Sequence, residues 1–357
     1  MAVVKGTGSH DQAHDPNLRD TVLLDQLPSD MWTEGMVVRP NGDVLTTRLE
    51  EPDMFSIDIA TAAHFENDDG TVRPRLLKRF PDANGCFNLC ALEGTKREEY
   101  AVVTGFADLA RGQFHSWALW RMALPPDEGD DKAEYTKIMD IPDAGFLMGI
   151  VPVSDSIVAI ADSIQGRIWR VDLARSECSV LFEDPSLAAP SEASIFGINK
   201  LRFSERFGWF TNTGTGKLYR FPIERTDDGK DIKPVGDVVE LAADLENADG
   251  LVITPDGSSA YVCSYTAGHL WRIDTDGEAG SGSSTVHFLR DDLVSPTAMD
   301  LVYKKNEKPT LYIMCCGRVN SEVLEGERGH WLSLANVDKD QLQIMVTVTT
   351  EVTYEYI

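Results

Sequence analysis

Positive charge, cysteine and long apolar runs are all scarce in this sequence, and each shortage excludes a class of protein. Lys and Arg total 33 against 58 Asp and Glu, a formal charge of −25. A chain of that sign repels a phosphate backbone, and no local Lys/Arg cluster offsets it, so neither nucleic acid nor an anionic membrane is expected as a partner. No apolar run approaches the roughly 20 residues that span a bilayer. After its first four residues the N-terminal stretch MAVVKGTGSHDQAHDPN is polar and has no signal-peptide core, which leads to the expectation of a cytoplasmic protein. Six cysteines in 357 residues, with no C-x-x-C pair, suit neither a disulfide framework nor a zinc site. They are expected as reduced thiols in strands. Seven histidines show no H-E-x-x-H spacing, and no G-x-S-x-G elbow, phosphate-binding glycine loop or dinucleotide fingerprint is present.

What is present is a repeat. The stretch Phe146 to Asp172, FLMGIVPVSDSIVAIADSIQGRIWRVD, holds short alternating apolar runs separated by polar and glycine-centred turns, the pattern of strands. Its closing phrase, an aromatic followed by arginine, recurs as Trp120-Arg121, Trp169-Arg170, Tyr219-Arg220 and Trp271-Arg272, at intervals of about 50 residues. Weaker copies stand at Phe55 (MFSID) and Trp331 (HWLSL). One four-stranded blade cannot bury both of its faces unless neighbours stack on it, so this period predicts an all-β, six-bladed β-propeller. The expected organisation is a disordered tail over 1–20 and a single propeller domain over 21–357. Within it, Thr21 to Leu27 is a candidate to pair with the last blade and close the ring, and the alternating tail QLQIMVTVTTEVTYEYI is a candidate closing strand.

The innermost strands of a propeller converge on its channel. Reading the same position in each blade gives Glu34-Gly35, Asn88-Leu89, Met148-Gly149, Asn199-Lys200, Asp249-Gly250 and Thr297-Ala298. Here TEGMVVRPNGDVL, MGI…ADSIQGRIWRVD, GINKL…WFTNTGTGKLYR and ADGLVITPDG resemble the fungal branch of the senescence-marker-30/gluconolactonase-like propellers, over roughly residues 30 to 335. In hydrolytic members of that family a Glu, an Asn and an Asp hold one divalent cation on the channel axis. The resemblance places Glu34, Asn199 and Asp249 at those positions, a set of hard oxygen donors suited to calcium, magnesium or manganese. Without a metal, the same residues are channel groups bonded to one another.

This chain departs from the hydrolytic pattern at three places. Met148 stands where an Asn is usual, Phe146 where a polar residue is usual, and Lys200 where a glycine follows the ligand Asn. A thioether is a poor ligand for hard cations. The resemblance therefore also implies a different activity found within the fungal branch: hetero-Diels–Alder cycloaddition, joining an ortho-quinone methide from a tropolone or aromatic polyketide to a terpene alkene such as humulene, with no cofactor required. On that reading Phe146, Met148 and Phe196 form an apolar wall, Asn199, Lys200 or Thr297 donates to a carbonyl oxygen, Glu34 joins them as a catalytic residue, and Asn88 and Asp249 complete the pocket. A metal-dependent lactonase and a non-catalytic ligand-binding propeller remain open at this point.

Overall fold

The structure, a computed structural model, describes residues 32–58, 74–92, 97–109, 111–124, 132–191, 196–280, 282–305 and 309–316. It also describes the backbone strands 21–26, 322–326, 329–333 and 343–348. The expected tail over 1–20 lies outside these residues. The fold is an all-β propeller. The described residues include two complete three-residue 3₁₀ turns and no α-helix, and no helix among them is long and apolar enough to cross a membrane.

Five blades are antiparallel sheets of chain-consecutive strands. Their innermost strands are Thr33–Val38, Gly85–Ala91, Leu147–Pro152, Ile198–Phe203 and Ala248–Ile253. A sixth inner strand, Pro296–Val302, pairs with Thr310–Cys315. The six inner strands touch in cyclic order, with the sixth against the first. The sixth sheet differs from the expected one. Its third strand is not the HWLSL segment, since Gly329–Ser333 forms a separate hairpin with Glu322–Gly326. The tail strand Gln343–Val348 takes that place, and Thr21–Gln26 pairs outside it. One sheet thus holds the first and the last of the described strands and closes the ring with chain from both ends.

The recurring aromatic-arginine phrase ties the strands of a blade to one another and, through Arg170 and Arg220, to the next blade. In blade 3 the fully buried Asp162 accepts from the backbone N–H of Gly145, Phe146 and Gln165 and from Trp169 Nε1, at 2.8–3.0 Å. The end of the second strand is thus tied both to the entry of the inner strand and to the third-strand tryptophan. Trp120 Nε1 donates to Thr104 and Trp271 Nε1 to Ser264 in the corresponding places. The arginines that follow the aromatics pair with Glu99, Asp231, Asp276 and Asp274. Gly166, at φ +61°, supplies the left-handed turn between the second and third strands of blade 3. Five of the six cysteines are buried and all are free thiols.

Candidate functional site

Each inner strand carries one extra residue relative to its partner, at the same level of the ring. The register shifts fall between Thr33 and Met36, Cys86 and Asn88, Leu147 and Ile150, Ile198 and Leu201, Ala248 and Leu251, and Pro296 and Ala298. In four blades the interval holds the dipeptide aligned from sequence: Glu34-Gly35, Met148-Gly149, Asn199-Lys200 and Asp249-Gly250. A bulge bends its strand and re-aims side chains, so six bulges at one level present these residues to the axis. The glycine in three of them permits close approach: a Cβ on Gly149 would lie 2.5 Å from the carbonyl oxygen of Asn199 on the neighbouring inner strand.

At that level the decisive residue is Lys200. Blades 4 and 1 oppose each other across a six-membered ring, and the Lys200 side chain crosses between them. Its Nζ donates to Glu34 Oε1 at 2.5 Å and to the Glu34 carbonyl oxygen at 3.1 Å, and lies 3.8 Å from Asp249 Oδ1. Glu34 Oε2 also accepts from Trp32 Nε1 at 3.3 Å. Glu34, Lys200 and Asp249 are all nearly devoid of solvent contact. Burial raises the Glu34 carboxyl above its ordinary range, against the opposing pull of Lys200. Burial, reinforced by the charge of Glu34, pushes Asp249 well above the carboxylate range. Burial opposes charge on Lys200, but the attraction of Glu34 and Asp249 outweighs it and raises its pKa.

This arrangement does not fit a divalent cation on Glu34, Asn199 and Asp249. Asn199 Oδ1 and Asp249 Oδ1 are indeed buried without a hydrogen-bond partner among the described residues. The ammonium, however, stands 2.5 Å from Glu34 Oε1, within the range at which calcium would bind an oxygen. A second cation beside it would meet both steric contact and like charge. Asn199 is held sideways, its Nδ2 donating 2.9 Å to Thr213, which donates in turn to Ala248 O.

A cavity of about 880 Å³ occupies the channel on the side where the inner strands end. Glu34, Asn88 and Lys200 form its floor, and Ile150, Val151, Leu251 and Val252 are among its walls. The other residues expected to line a pocket are elsewhere. Phe146 is fully buried among Phe87, Phe114 and Trp117, with ring centroids 4.8–6.0 Å away. Met148 belongs to the same apolar cluster, with Phe196 packed on its margin. Thr297 is completely buried and spends its hydroxyl on Thr33 O at 2.7 Å, joining blade 6 to blade 1. Asn199 and Asp249 lie beside the crossbar but do not line the cavity. The aligned positions mark where the strands enter, and aromatic packing fills that end.

Four charged cavity residues escaped the sequence reading: Arg202, Glu205, Arg225 and Asp300. Arg202 follows Lys200 by two on one strand and so shares its face; that period was a usable signal. Asp300, from the sixth inner strand, holds the N–H of Val38 at 2.8 Å and of Leu301 at 2.9 Å.

No protein-family signature matches this chain, and no curated protein matches it either. Similarity to solved structures is extensive and remote in sequence. Regucalcin of Agrobacterium tumefaciens, described as a calcium-binding protein, is 16% identical, with a TM-score of 0.54 over 90% of this chain and 93% of that one. A luciferin-regenerating enzyme is 9% identical, with a TM-score of 0.57 over 92% and 95%. The PQQ-bound aldose sugar dehydrogenase of Streptomyces coelicolor is 13% identical, with a TM-score of 0.52 over 92% and 98%. At such identities the likeness is one of architecture: the chain has the β-propeller fold of the regucalcin-type and related proteins.

Proposed function

We propose that this protein is an enzyme that joins two small, largely apolar molecules in its channel without a metal ion, by hetero-Diels–Alder cycloaddition of an ortho-quinone methide with a sesquiterpene alkene. The observation that carries this reading is the Lys200 crossbar. It stands among the residues that the resemblance assigns to a cation and puts a donor held by Glu34 at the floor of a cavity with aliphatic walls. An ammonium has three hydrogens to donate. Two are spent on Glu34; on this reading the third, whose other neighbour is Asp249 Oδ1 at 3.8 Å, turns to a carbonyl oxygen of the substrate. Such a donor withdraws electron density from the quinone methide and lowers its acceptor orbital, and being held by Glu34 it needs no reorganisation as charge develops. The bond-forming step requires no nucleophile and no proton transfer. It requires the two partners stacked at reacting distance, for which orientation can supply on the order of 7–11 kcal/mol, and exclusion of water, which would add to the quinone methide. A volume of about 880 Å³ lies within the range of small-molecule sites.

The test uses wild-type protein, a quinone methide released in situ and humulene, with and without a chelator, alongside an aldonolactone. Cycloadduct of a single stereochemistry is expected, at a rate that chelation changes by less than about twofold, with no lactone hydrolysis above background. The charge-neutral double variant Glu34→Gln/Lys200→Met should lose about a hundredfold in rate, the usual effect of deleting one preorganised donor. Chelator-sensitive lactone hydrolysis, with cycloadduct yield and selectivity no different from the uncatalysed mixture, would replace this reading with a hydrolase.

A further inference from the structure

The second and third strands of blade 2, Glu98–Asp108 and Gln113–Leu124, run 11 and 12 residues, against 5 or 6 in the second strands of the other blades. The excess lies at the entry end. Thr104 bonds Trp120 Nε1 as Asp162, the last residue of its strand, bonds Trp169 Nε1, so blade 2 continues where blade 3 turns. Pairing with the inner strand stops at Gly105, opposite Gly85. Beyond it the two arms, 106–109 and 111–116, pair with each other. Among the described residues their hydrogen bonds to the rest of the ring are made by Asn84, whose Oδ1 accepts from Ala107 N at 2.8 Å and whose Nδ2 donates to Ala107 O at 3.0 Å. The base of the arms is irregular. The register shifts between Thr104 and Phe106, and Ser116 holds a left-handed φ of +56°, a conformation that is costly for a residue with a Cβ. The inner side of the arms is apolar: Ala107, Leu109 and Phe114 pack on the cluster that contains Phe87, Trp117, Phe146 and Met148, with the Phe114 ring centred 4.8 Å from that of Phe146.

A two-stranded hairpin is marginal on its own, and this overhang is held by one two-bond latch and one apolar seat. Opening it exchanges the latch for bonds to water, so each bond resists only by its small net worth, and the blades stay stacked. Segments held this lightly open far more often than a whole chain unfolds. We infer that the blade 2 overhang is a flap, jointed at Gly105 and Ser116 and latched by Asn84, which opens to admit a small apolar molecule onto the aromatic bed around Phe146. That bed closes the end of the channel opposite the cavity, and Met148 lies beneath it. It is made of rings and a thioether, so what it holds is apolar and is held by ring contacts. Access at this end is independent of any reaction in the cavity, because the Lys200 crossbar lies between the two.

A thiol placed under the flap reports its opening. In Met148→Cys of the full chain, N-ethylmaleimide, itself small and largely apolar, is the probe, and peptide mass spectrometry follows labelling of the introduced thiol. Cys263, fully buried between blades 5 and 6, reports global unfolding in the same sample. The introduced thiol is expected to react at least about tenfold faster than Cys263. Adding Asn84→Ala should raise its rate about tenfold or more, what two hydrogen bonds of modest net worth supply, and Phe114→Ala should act in the same direction. Adding Ile273→Val, in the core of blade 5, should raise the Cys263 rate about fivefold and leave the introduced thiol within about twofold, since it weakens the ring without touching the flap. If Met148→Cys does not fold, hydrogen exchange of the natural sequence decides the question. The Ala107 amide, bonded to Asn84, should exchange at least about tenfold faster than the Phe146 amide, bonded to Asp162. Equal exchange at those two amides, an introduced thiol no faster than Cys263, a rate that Asn84→Ala leaves within twofold, or a rate that rises in step with Cys263 in Ile273→Val would each overturn the flap.

Discussion

The channel of this propeller is lined by one set of six strands, yet its two halves on either side of Lys200 are built in opposite ways. Where the strands enter, the axis is closed by side chains: Trp32 against Tyr265 with centroids 5.2 Å apart, Phe146 among three aromatic rings, and Met148 beneath them at 3% exposure. Where the strands leave, the cavity opens and its walls are short aliphatics punctuated by Arg202 and Asp300. The crossbar separates them. In the closed half a polar atom is satisfied inside the protein or costs stability. In the open half an unsatisfied donor is available to a ligand. The two cations of the channel accordingly have different surroundings: the Lys200 ammonium is bonded to Glu34, whereas the Arg202 guanidinium makes its hydrogen bond to the adjacent Leu201 O.

This contrast is broken most severely at the crossbar. Lys200→Met leaves Glu34 buried without its counter-ion, and losing one partner of a buried pair costs about 3–5 kcal/mol. Urea unfolding should show that loss, and adding Glu34→Gln should recover most of it; a single variant as stable as wild type would mean that the ion pair is not the partition described. A second experiment asks whether the ammonium displaces a cation. Lys200→Gly removes the crossbar and exposes Glu34 Oε1 and the free oxygens of Asn199 and Asp249 to one another. Calcium or manganese at about a hundred times its dissociation constant should then stabilise this variant by about 2.7 kcal/mol, seen as a rise in melting temperature absent from wild type. An equal rise in wild type would show that the lysine does not exclude metal. The smallest effect belongs to the closed half. Met148→Asn places an amide in an apolar cluster, where an unpaired polar group costs about 1–3 kcal/mol. A lowered denaturant midpoint with an unchanged rate of the proposed cycloaddition would sharpen the division, and a large change in that rate at full stability would erase it.

Much of this was legible from composition and spacing. Asn41-Gly42 and Pro255-Asp256-Gly257 sit in the turns between first and second strands of blades 1 and 5, with Gly42 at φ +98° and Gly257 at +64°. The spacing of the aromatic-arginine phrases located four third strands, and in three of them the tryptophan indole N–H bonds a polar residue of the preceding strand. At Trp331 the same cue pointed to the wrong strand, since a short apolar phrase with one tryptophan suits any hairpin and does not specify a neighbour. The Glu34, Asn199 and Asp249 positions meet around the axis as their blade positions suggest. Phe146 and Met148 do not line the cavity, since sequence alignment identifies the level of a residue in the ring but not which half of the channel neighbouring rings will fill.

What the sequence determined by itself is local: strand alternation, turn chemistry and a period that makes blades stack, all of which act over a few residues or within one repeat. What only the tertiary structure decided is the pairing of residues that closure brings together. Lys200 and Glu34 are 166 positions apart, and nothing in either neighbourhood favours that partner over Asp249, which lies in the adjoining blade. The ring sets the choice, because placing blade 1 opposite blade 4 spans the axis with one lysine side chain and leaves Arg202, one pleat further along, facing open space.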